Sequence, residues 1–208
     1  MTKTVLVTGT SYGLGKALFE KLSENSSYNL AGLGRSCEEK ESSKKITIRC
    51  DITKTEEIER ALLKVKEKWG GLDILINNAG IVGEFKKMKD YTEDEIKTMV
   101  DINIKGTFIM TQRALNYINI PGYIINIGST RSITGAPDKT LYSMTKFALR
   151  GLTQSINAEM KKDKIYSTIV CPGSFKTVSA KSISEAIEHL MELPLDSHVP
   201  ELIMGGML

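Results

Sequence analysis

Short, continuously apolar runs recur along the chain at Thr4 to Thr8, Asn29 to Leu33, Ile46 to Cys50, Asp73 to Asn77, Tyr123 to Ile127, Ser167 to Cys171 and Glu201 to Met204. Between them lie longer segments whose apolar residues return every three or four positions, the alternation expected of successive βαβ units. Runs of this kind suit parallel strands covered on both faces. Right-handed crossovers then wind them into one sheet. The expected fold is an α/β, doubly wound parallel sheet of about seven strands with helices on both faces. A Thr53-x-x-Glu56 capping box is expected to open a helix carrying Ile58, Leu62, Val65 and Trp69 along one stripe. Thr92-x-x-Glu95 is expected to open a long helix carrying Ile96, Val100, Ile104 and Phe108. No low-complexity linker or repeat divides the pattern, so a single domain is expected to cover residues 1–208. A chain of this length buries roughly 70% of its unfolded surface, and a hydrophobic fraction of 41% with 25% charged residues supplies an ordinary globular core.

Charge and cysteine usage exclude several classes of function. The formal net charge of +3 is too mild for a nucleic-acid-binding face. The dense charges from Arg35 to Lys68 mix both signs and read as solvated helix faces. Cys37, Cys50 and Cys171 form no C-x-x-C pair and have only His189 and His198 to help them, which argues against a disulfide framework and a metal site. Cys171 reads as a small buried hydrophobe and His189 as a surface residue; Lys86, Lys87 and Lys89 read as a solvated basic loop. The first residues run directly into Val5, which leaves no room for a secretory h-region. No apolar run approaches the ~18 residues of a membrane span. The expectation is a soluble, cytoplasmic protein with no membrane or nucleic-acid partner.

In a doubly wound sheet, ligands bind beyond the carboxyl ends of the strands, where strand order reverses. Polar or glycine-rich residues follow several of the expected strands and should gather on that rim. The most telling is Thr8-Gly9-Thr10-Ser11-Tyr12-Gly13-Leu14-Gly15, which leads from a strand into a helix. Glycines there permit a tight turn and close approach of backbone to a phosphate, while the helix amino terminus offers N–H groups and a positive dipole end. A plain glycine-rich turn would look the same in isolation. The strand before and helix after are what a dinucleotide site requires.

T-G-x-x-x-G-x-G resembles the fingerprint of the short-chain dehydrogenase/reductase family, and further motifs carry the resemblance. Asn77-Asn78-Ala79-Gly80 matches N-N-A-G, Tyr142-Ser143-Met144-Thr145-Lys146 matches Y-x-x-x-K, with Ser129 thirteen residues before it, and Pro172-Gly173-Ser174-Phe175-Lys176-Thr177 matches P-G-x-x-x-T. Asn103, in Asp101-Ile102-Asn103-Ile104-Lys105-Gly106-Thr107, lies in the helix after N-N-A-G. The motifs follow one another in family order over most of the chain, and the resemblance implies a Rossmann-like fold. Elementary chemistry supports the central pair. Tyr142 and Lys146, four apart on a helix, share a face. A free phenol near pKa ~10 is a poor base at neutral pH, and moving it towards ~7 needs roughly 4 kcal/mol from cationic neighbours.

The resemblance implies that Tyr142 is a general acid or base, that Lys146 lowers its pKa and binds the nicotinamide ribose, and that Ser129 hydrogen-bonds the substrate oxygen. Asn103 would hold a water in a relay to Lys146. Gly9, Ser11, Gly13, Leu14 and Gly15 would cradle the cofactor phosphates. Asp51 and Ile52 would contact adenine, and Asn78, Ala79 and Gly80 would line the adenosine ribose. Pro172, Gly173, Phe175 and Thr177, together with Tyr142 and Lys146, would approach the nicotinamide. An acidic residue at the end of the second strand would favour NAD(H), but Gly34 stands there, followed by Arg35 and Ser36. A guanidinium suits a 2′-phosphate by charge and forked geometry, so NADP(H) is expected over NAD(H). The implied activity is interconversion of a small-molecule carbonyl and an alcohol; the competing reading is a catalytically weak NAD(P)-binding regulatory or scaffold protein. Family members commonly pair through the helices holding Asn103 and Tyr142, which implies a homodimer or homotetramer. Only Val178 to Ile183 separates P-G-x-x-x-T from the next amphipathic helix, so the family's helical substrate lid after Thr177 is expected to be largely absent.

Overall fold

The computed structural model describes residues 2–174, 178–194 and 197–205. Its single sheet contains β1 (Lys3–Thr8), β2 (Tyr28–Gly34), β3 (Lys40–Glu41), β4 (Lys45–Arg49), β5 (Leu72–Asn77), β6 (Ile118–Ile127), β7 (Ile165–Pro172) and β8 (Glu201–Met204). The strand order is β3-β4-β2-β1-β5-β6-β7-β8. All pairings are parallel except β3 with β4. Strand order therefore reverses between β1 and β5, and the carboxyl ends of those two strands carry the glycine-rich and N-N-A-G loops.

Side-chain alternation on the central strands divides the core into two layers. Leu6, Leu72, Leu75 and Ile124 pack with α2 (Thr55–Trp69), α4 (Thr107–Ala114) and α5 (Thr140–Met160). Val5, Val7, Ile74, Ile76 and Ile125 pack on the opposite face with α1 (Gly13–Leu22) and α6 (Ala180–Glu192). The period of 2 thus covers both faces of β1 and β5, and such strands read as continuously apolar runs.

Five sequence expectations need correction. The charges from Arg35 to Lys68 do not all lie on helix faces: a two-residue edge strand, β3, pairs with the expected strand β4 before α2 begins, because the charges that suit a helix face equally suit an exposed sheet edge. The Thr53 capping box does not form; α2 begins at Thr55 with Lys54 as an uncapped N-cap, while Thr53 donates through both its N–H and its hydroxyl to Asp51 Oδ1, at 3.0 and 2.8 Å. The box at Thr92 and Glu95 does form, and opens α3 (Glu93–Val100). The long helix expected after it is interrupted by a π-helical turn, Asp101–Gly106. Ile96, before the turn, is already 41% exposed while Met99 faces inward; the wider turn then rotates the register, so that Asn103, Gly106 and Met110 are buried and Phe108 is left 52% exposed. Finally, β6 begins at Ile118, before the expected Tyr123, and α6 begins at Ala180, before the expected Ser184.

Candidate active site

Residues beyond the carboxyl ends of β1, β2, β4, β5, β6 and β7 enclose a cleft of about 310 Å³. Gly9, Ser11, Gly13, Leu14 and Gly15 line one end with Arg35, Ser36, Asp51 and Ile52; Asn78 and Gly80 lie midway; Ser129, Tyr142, Lys146, Pro172 and Gly173 line the other end. Residues drawn from most of the chain thus converge on one place. Phe175 and Thr177 lie outside the described residues. Ala79 does not line the cleft; its methyl packs against the core. Tyr12, Cys50, Ile81, Val82, Ile102 and Ile127 also line the walls. None of these carried a chemical signal in the sequence, since an apolar wall residue has no signature beyond its neighbours.

The glycine-rich loop is held by the strand end beside it. Thr8 Oγ1 accepts the backbone N–H groups of both Asn78 and Ala79 at 3.0 Å. Asn78 Nδ2 donates to the carbonyls of Thr8 and Gly9 at 2.8 and 3.2 Å. The Asn78 amide nitrogen is thus committed to the loop, while the residue also lines the cleft. A Cβ on Gly15 would lie 2.1 Å from Gly9 O and 2.2 Å from Asn78 Nδ2, so no larger residue fits there without displacing backbone. Gly13 adopts φ 62°, in the left-handed region.

The loop and its helix fit the phosphates of a dinucleotide. α1 starts with no side-chain cap and no acidic residue in its first turn, so its amino-terminal N–H groups and positive dipole end face the cleft without a built-in anion. The Ser11 hydroxyl is buried without a partner, set against Gly34, where a Cβ would come within 2.3 Å of it. Arg35 and Ser36 are exposed beside it. An orphaned buried hydroxyl next to a guanidinium is suited to an anionic oxygen.

At the other end, Ser129 precedes a short 3₁₀ turn, Thr130–Ser132, with reciprocal capping between Ser129 and Ser132. Ser132 Oγ accepts the Ser129 N–H at 3.2 Å, and Ser129 Oγ accepts the Arg131 N–H at 3.1 Å. Burial raises the pKa of the Tyr142 hydroxyl above its ordinary value, opposed by a hydrogen bond with the Ser129 side chain and by the charge of Arg131. The Lys146 ammonium is buried, with 6% of its residue surface exposed. It donates to Ile127 O at 2.8 Å and lies 5.7 Å from the centroid of the Tyr142 ring. Burial lowers its pKa to about 8, partly offset by Cys171. Arg131 thus adds a second cationic influence on the phenol beside Lys146, whose ammonium lies over the Tyr142 ring.

Asn103 is buried inside the π-helical turn rather than facing solvent. Its Oδ1 accepts the Ile81 N–H at 2.8 Å; its Nδ2 donates to Ile81 O at 2.8 Å and to Thr145 Oγ1 at 3.1 Å. The amide therefore clamps the N-N-A-G loop to α5 one residue before Lys146. Its side chain makes no direct contact with the lysine in the hydrogen-bond network. Among the described residues, no group of His, Cys, Asp and Glu could hold a metal ion, and no helix is long and apolar enough to cross a membrane.

The profile of the short chain dehydrogenase family matches residues 3–188. The chain belongs to the short-chain dehydrogenase/reductase family. An uncharacterised oxidoreductase of Schizosaccharomyces pombe is 35% identical over 187 residues, covering 86% of this chain but only 63% of that protein. L-2,3-butanediol dehydrogenase of Corynebacterium glutamicum is 28% identical over 97% of this chain and 83% of its own length. Among solved structures, serine dehydrogenase of Escherichia coli superimposes with a TM-score of 0.89 at 25% identity, covering 98% of this chain and 97% of that one. The parallel-dominated sheet flanked by helices is thus the Rossmann-like fold of this family, and the protein is an oxidoreductase of the short-chain type.

Proposed function

We propose that the protein interconverts a ketone or aldehyde and the corresponding alcohol with NADP(H) in preference to NAD(H). The observation that carries this reading is the meeting of the Ser129 and Tyr142 side chains, above a buried Lys146, at the end of the cleft opposite the glycine-rich loop. When bound, the nicotinamide cofactor supplies or accepts the hydride. The protein's own residues do the rest. Ser129 Oγ, already accepting the Arg131 N–H, keeps its proton to donate to the substrate oxygen, as an oxyanion-hole hydroxyl does. With its pKa raised, Tyr142 carries its proton at neutral pH and is ready to donate it as that oxygen gains negative charge. Lys146, held by Ile127 O, places an ammonium behind the phenol where a cofactor ribose would lie. Asn103 positions this group through Ile81 and Thr145. Ser11, Arg35 and Ser36 would receive the 2′-phosphate, the basis for preferring NADP(H); Asp51 and Ile52 would face adenine.

The connection from β7, which ends at Pro172, to α6, which begins at Ala180, supports a cleft with little lid on its substrate side. Exposed Phe108, Met144 and Phe147 on α4 and α5 support pairing of two copies through those helices. The test is Tyr142→Phe, assayed by NADPH oxidation across ketones, aldehydes and quinones. Turnover should disappear while NADPH binding, followed by fluorescence, is retained. Unchanged turnover overturns the assignment of Tyr142, and a wild-type protein that binds cofactor without turning over any of the panel favours a binding or scaffold role.

A further inference from the structure

Resting on the carbonyl-to-alcohol reading above, we propose that Thr145 is a positioning residue for turnover: its hydroxyl ties the Tyr142 main chain to the Asn103 amide and so sets the pose of the proton donor. Thr145 is fully buried, one residue before Lys146. Its Oγ1 donates to the carbonyl of Tyr142 itself at 2.8 Å and accepts from Asn103 Nδ2 at 3.1 Å. On its other side Asn103 bonds both backbone groups of Ile81, at 2.8 Å each. Ile81 and Tyr142 both line the cleft, so the chain of bonds from Ile81 through Asn103 and Thr145 to Tyr142 joins two of its walls.

A threonine inside a helix commonly bonds a carbonyl one turn back, and that bond alone would be local structure. Two further buried Asn–Thr pairs show what is particular to Thr145. Thr111 Oγ1 donates to Thr107 O at 2.8 Å and accepts from Asn77 Nδ2 at 2.9 Å. Thr153 Oγ1 donates to Leu149 O at 2.8 Å and accepts from Asn126 Nδ2 at 2.9 Å. Those two pairs dock α4 on β5 and α5 on β6 by the same two bonds, and they end on ordinary core residues. The Thr145 pair ends on Tyr142.

The consequence is geometric. In the helical ladder the Tyr142 carbonyl also faces the N–H of Lys146, four residues on, so the hydroxyl bond acts on the turn that carries both side chains. The ammonium lies close to the same clamp: a Cβ on Gly80 would come within 3.1 Å of Asn103 Oδ1 and 3.9 Å of Lys146 Nζ. Thr145 exchanges no proton with the substrate, because its single hydroxyl proton is spent on Tyr142 O. What it contributes is distance: a phenol donates to a substrate oxygen only within hydrogen-bond reach, and a misplacement of ~1 Å can cost about a hundredfold in rate. Losing one bond of a buried clamp should forfeit part of that, about tenfold.

The test uses the full chain, NADPH and a ketone or aldehyde that the panel above shows to be turned over. Thr145→Val keeps the shape and loses the hydroxyl, while Thr153→Val makes the matching loss further along the same helix. In Thr145→Val, kcat and kcat/KM should fall together by about tenfold, with the NADPH dissociation constant kept within about twofold. Thr145→Ser restores the hydroxyl and should recover at least about half of the wild-type kcat. Thr153→Val should lower the urea midpoint as Thr145→Val does, yet leave kcat within about twofold. A kcat in Thr145→Val within about twofold of wild type, no recovery with serine, or an equal fall in Thr153→Val overturns the proposal. Thr145→Ala takes the place of the valine variant under the same criteria if the latter does not fold. Should the wild type reduce nothing in the panel, the carbonyl reading fails on its own, and the pose is read without substrate by NMR of protein labelled at tyrosine Cζ, the ring carbon bearing the hydroxyl. The Tyr142 resonance is the one missing in Tyr142→Phe. Its displacement in Thr145→Val, with return in Thr145→Ser and none in Thr153→Val, supports the proposal. A resonance unmoved in Thr145→Val, not returned by serine, or moved equally in Thr153→Val overturns it.

Discussion

Lys146 offers a direct physical test of the buried end of the cleft, because its burial has a thermodynamic signature independent of activity. Its pKa falls from 10.5 to about 8 in the folded protein, which corresponds to roughly 3 kcal/mol. The folded state therefore binds fewer protons than the unfolded chain between the two values, and stability rises with pH across that window. Below about pH 8 the full penalty for burying the charge is present; it fades as pH rises towards the unfolded value. Lys146→Met removes the titration while keeping the stem, at the expense of the bond to Ile127 O, a roughly pH-independent loss because a neutral amine still donates. Urea unfolding of both proteins, without cofactor, should show the wild type gaining about 2 kcal/mol relative to Lys146→Met between about pH 7 and about pH 9.5. In thermal unfolding this is a relative gain of roughly 4–8 °C for a chain of this size. Other titrating groups cancel in the difference. A stability difference that stays constant over the range would show that Lys146 titrates normally, and the argument from burial would fail.

Three other outcomes follow from particular contacts. Arg35→Glu should weaken NADPH binding at least about tenfold more than NADH binding, about 1.4 kcal/mol; equal effects on the two, measured by titration, would remove Arg35 from the phosphate site. Gly15→Ala, whose Cβ would press on Gly9 O and Asn78 Nδ2, should cost about 1–3 kcal/mol in denaturant unfolding and weaken both dinucleotides alike. Unaltered affinity and stability would mean that the loop is less tightly set than its geometry indicates. Asn103→Ala leaves both polar groups of Ile81 without their amide partner and should lower stability by about 2–3 kcal/mol in the same assay, together with a reduced kcat; a loss below about 0.5 kcal/mol would contradict the clamp.

Features governed by short-range rules were legible in the sequence. The apolar runs located the parallel strands because two-sided burial demands them, and Tyr142 and Lys146 could be paired because four residues is one helical turn. Glycine at positions 9, 13 and 15 marked the loop through its steric demands. What escaped notice depends on contacts that spacing does not encode. The π-helical turn at Asp101–Gly106 shifts register without any compositional mark, so the stripe expected from spacing does not stay on the core face as far as Phe108. The partners of Asn103 lie 22 and 42 residues away. Arg131 resembles any loop arginine until its backbone bond to Ser129 and its charge on Tyr142 are seen together.

The Thr8 hydroxyl, accepting from two consecutive N–H groups of the loop after β5, and the Asn78 amide, returning to the carbonyls of Thr8 and Gly9, join two loops from distant parts of the chain. They form one cooperative piece and should open together in hydrogen exchange rather than fray separately. For protein engineering, this makes the transplantable unit the pair of loops. Grafting a new glycine-rich segment onto β1 without carrying Asn78 and Ala79 with it would leave that segment with no partner to hold its shape.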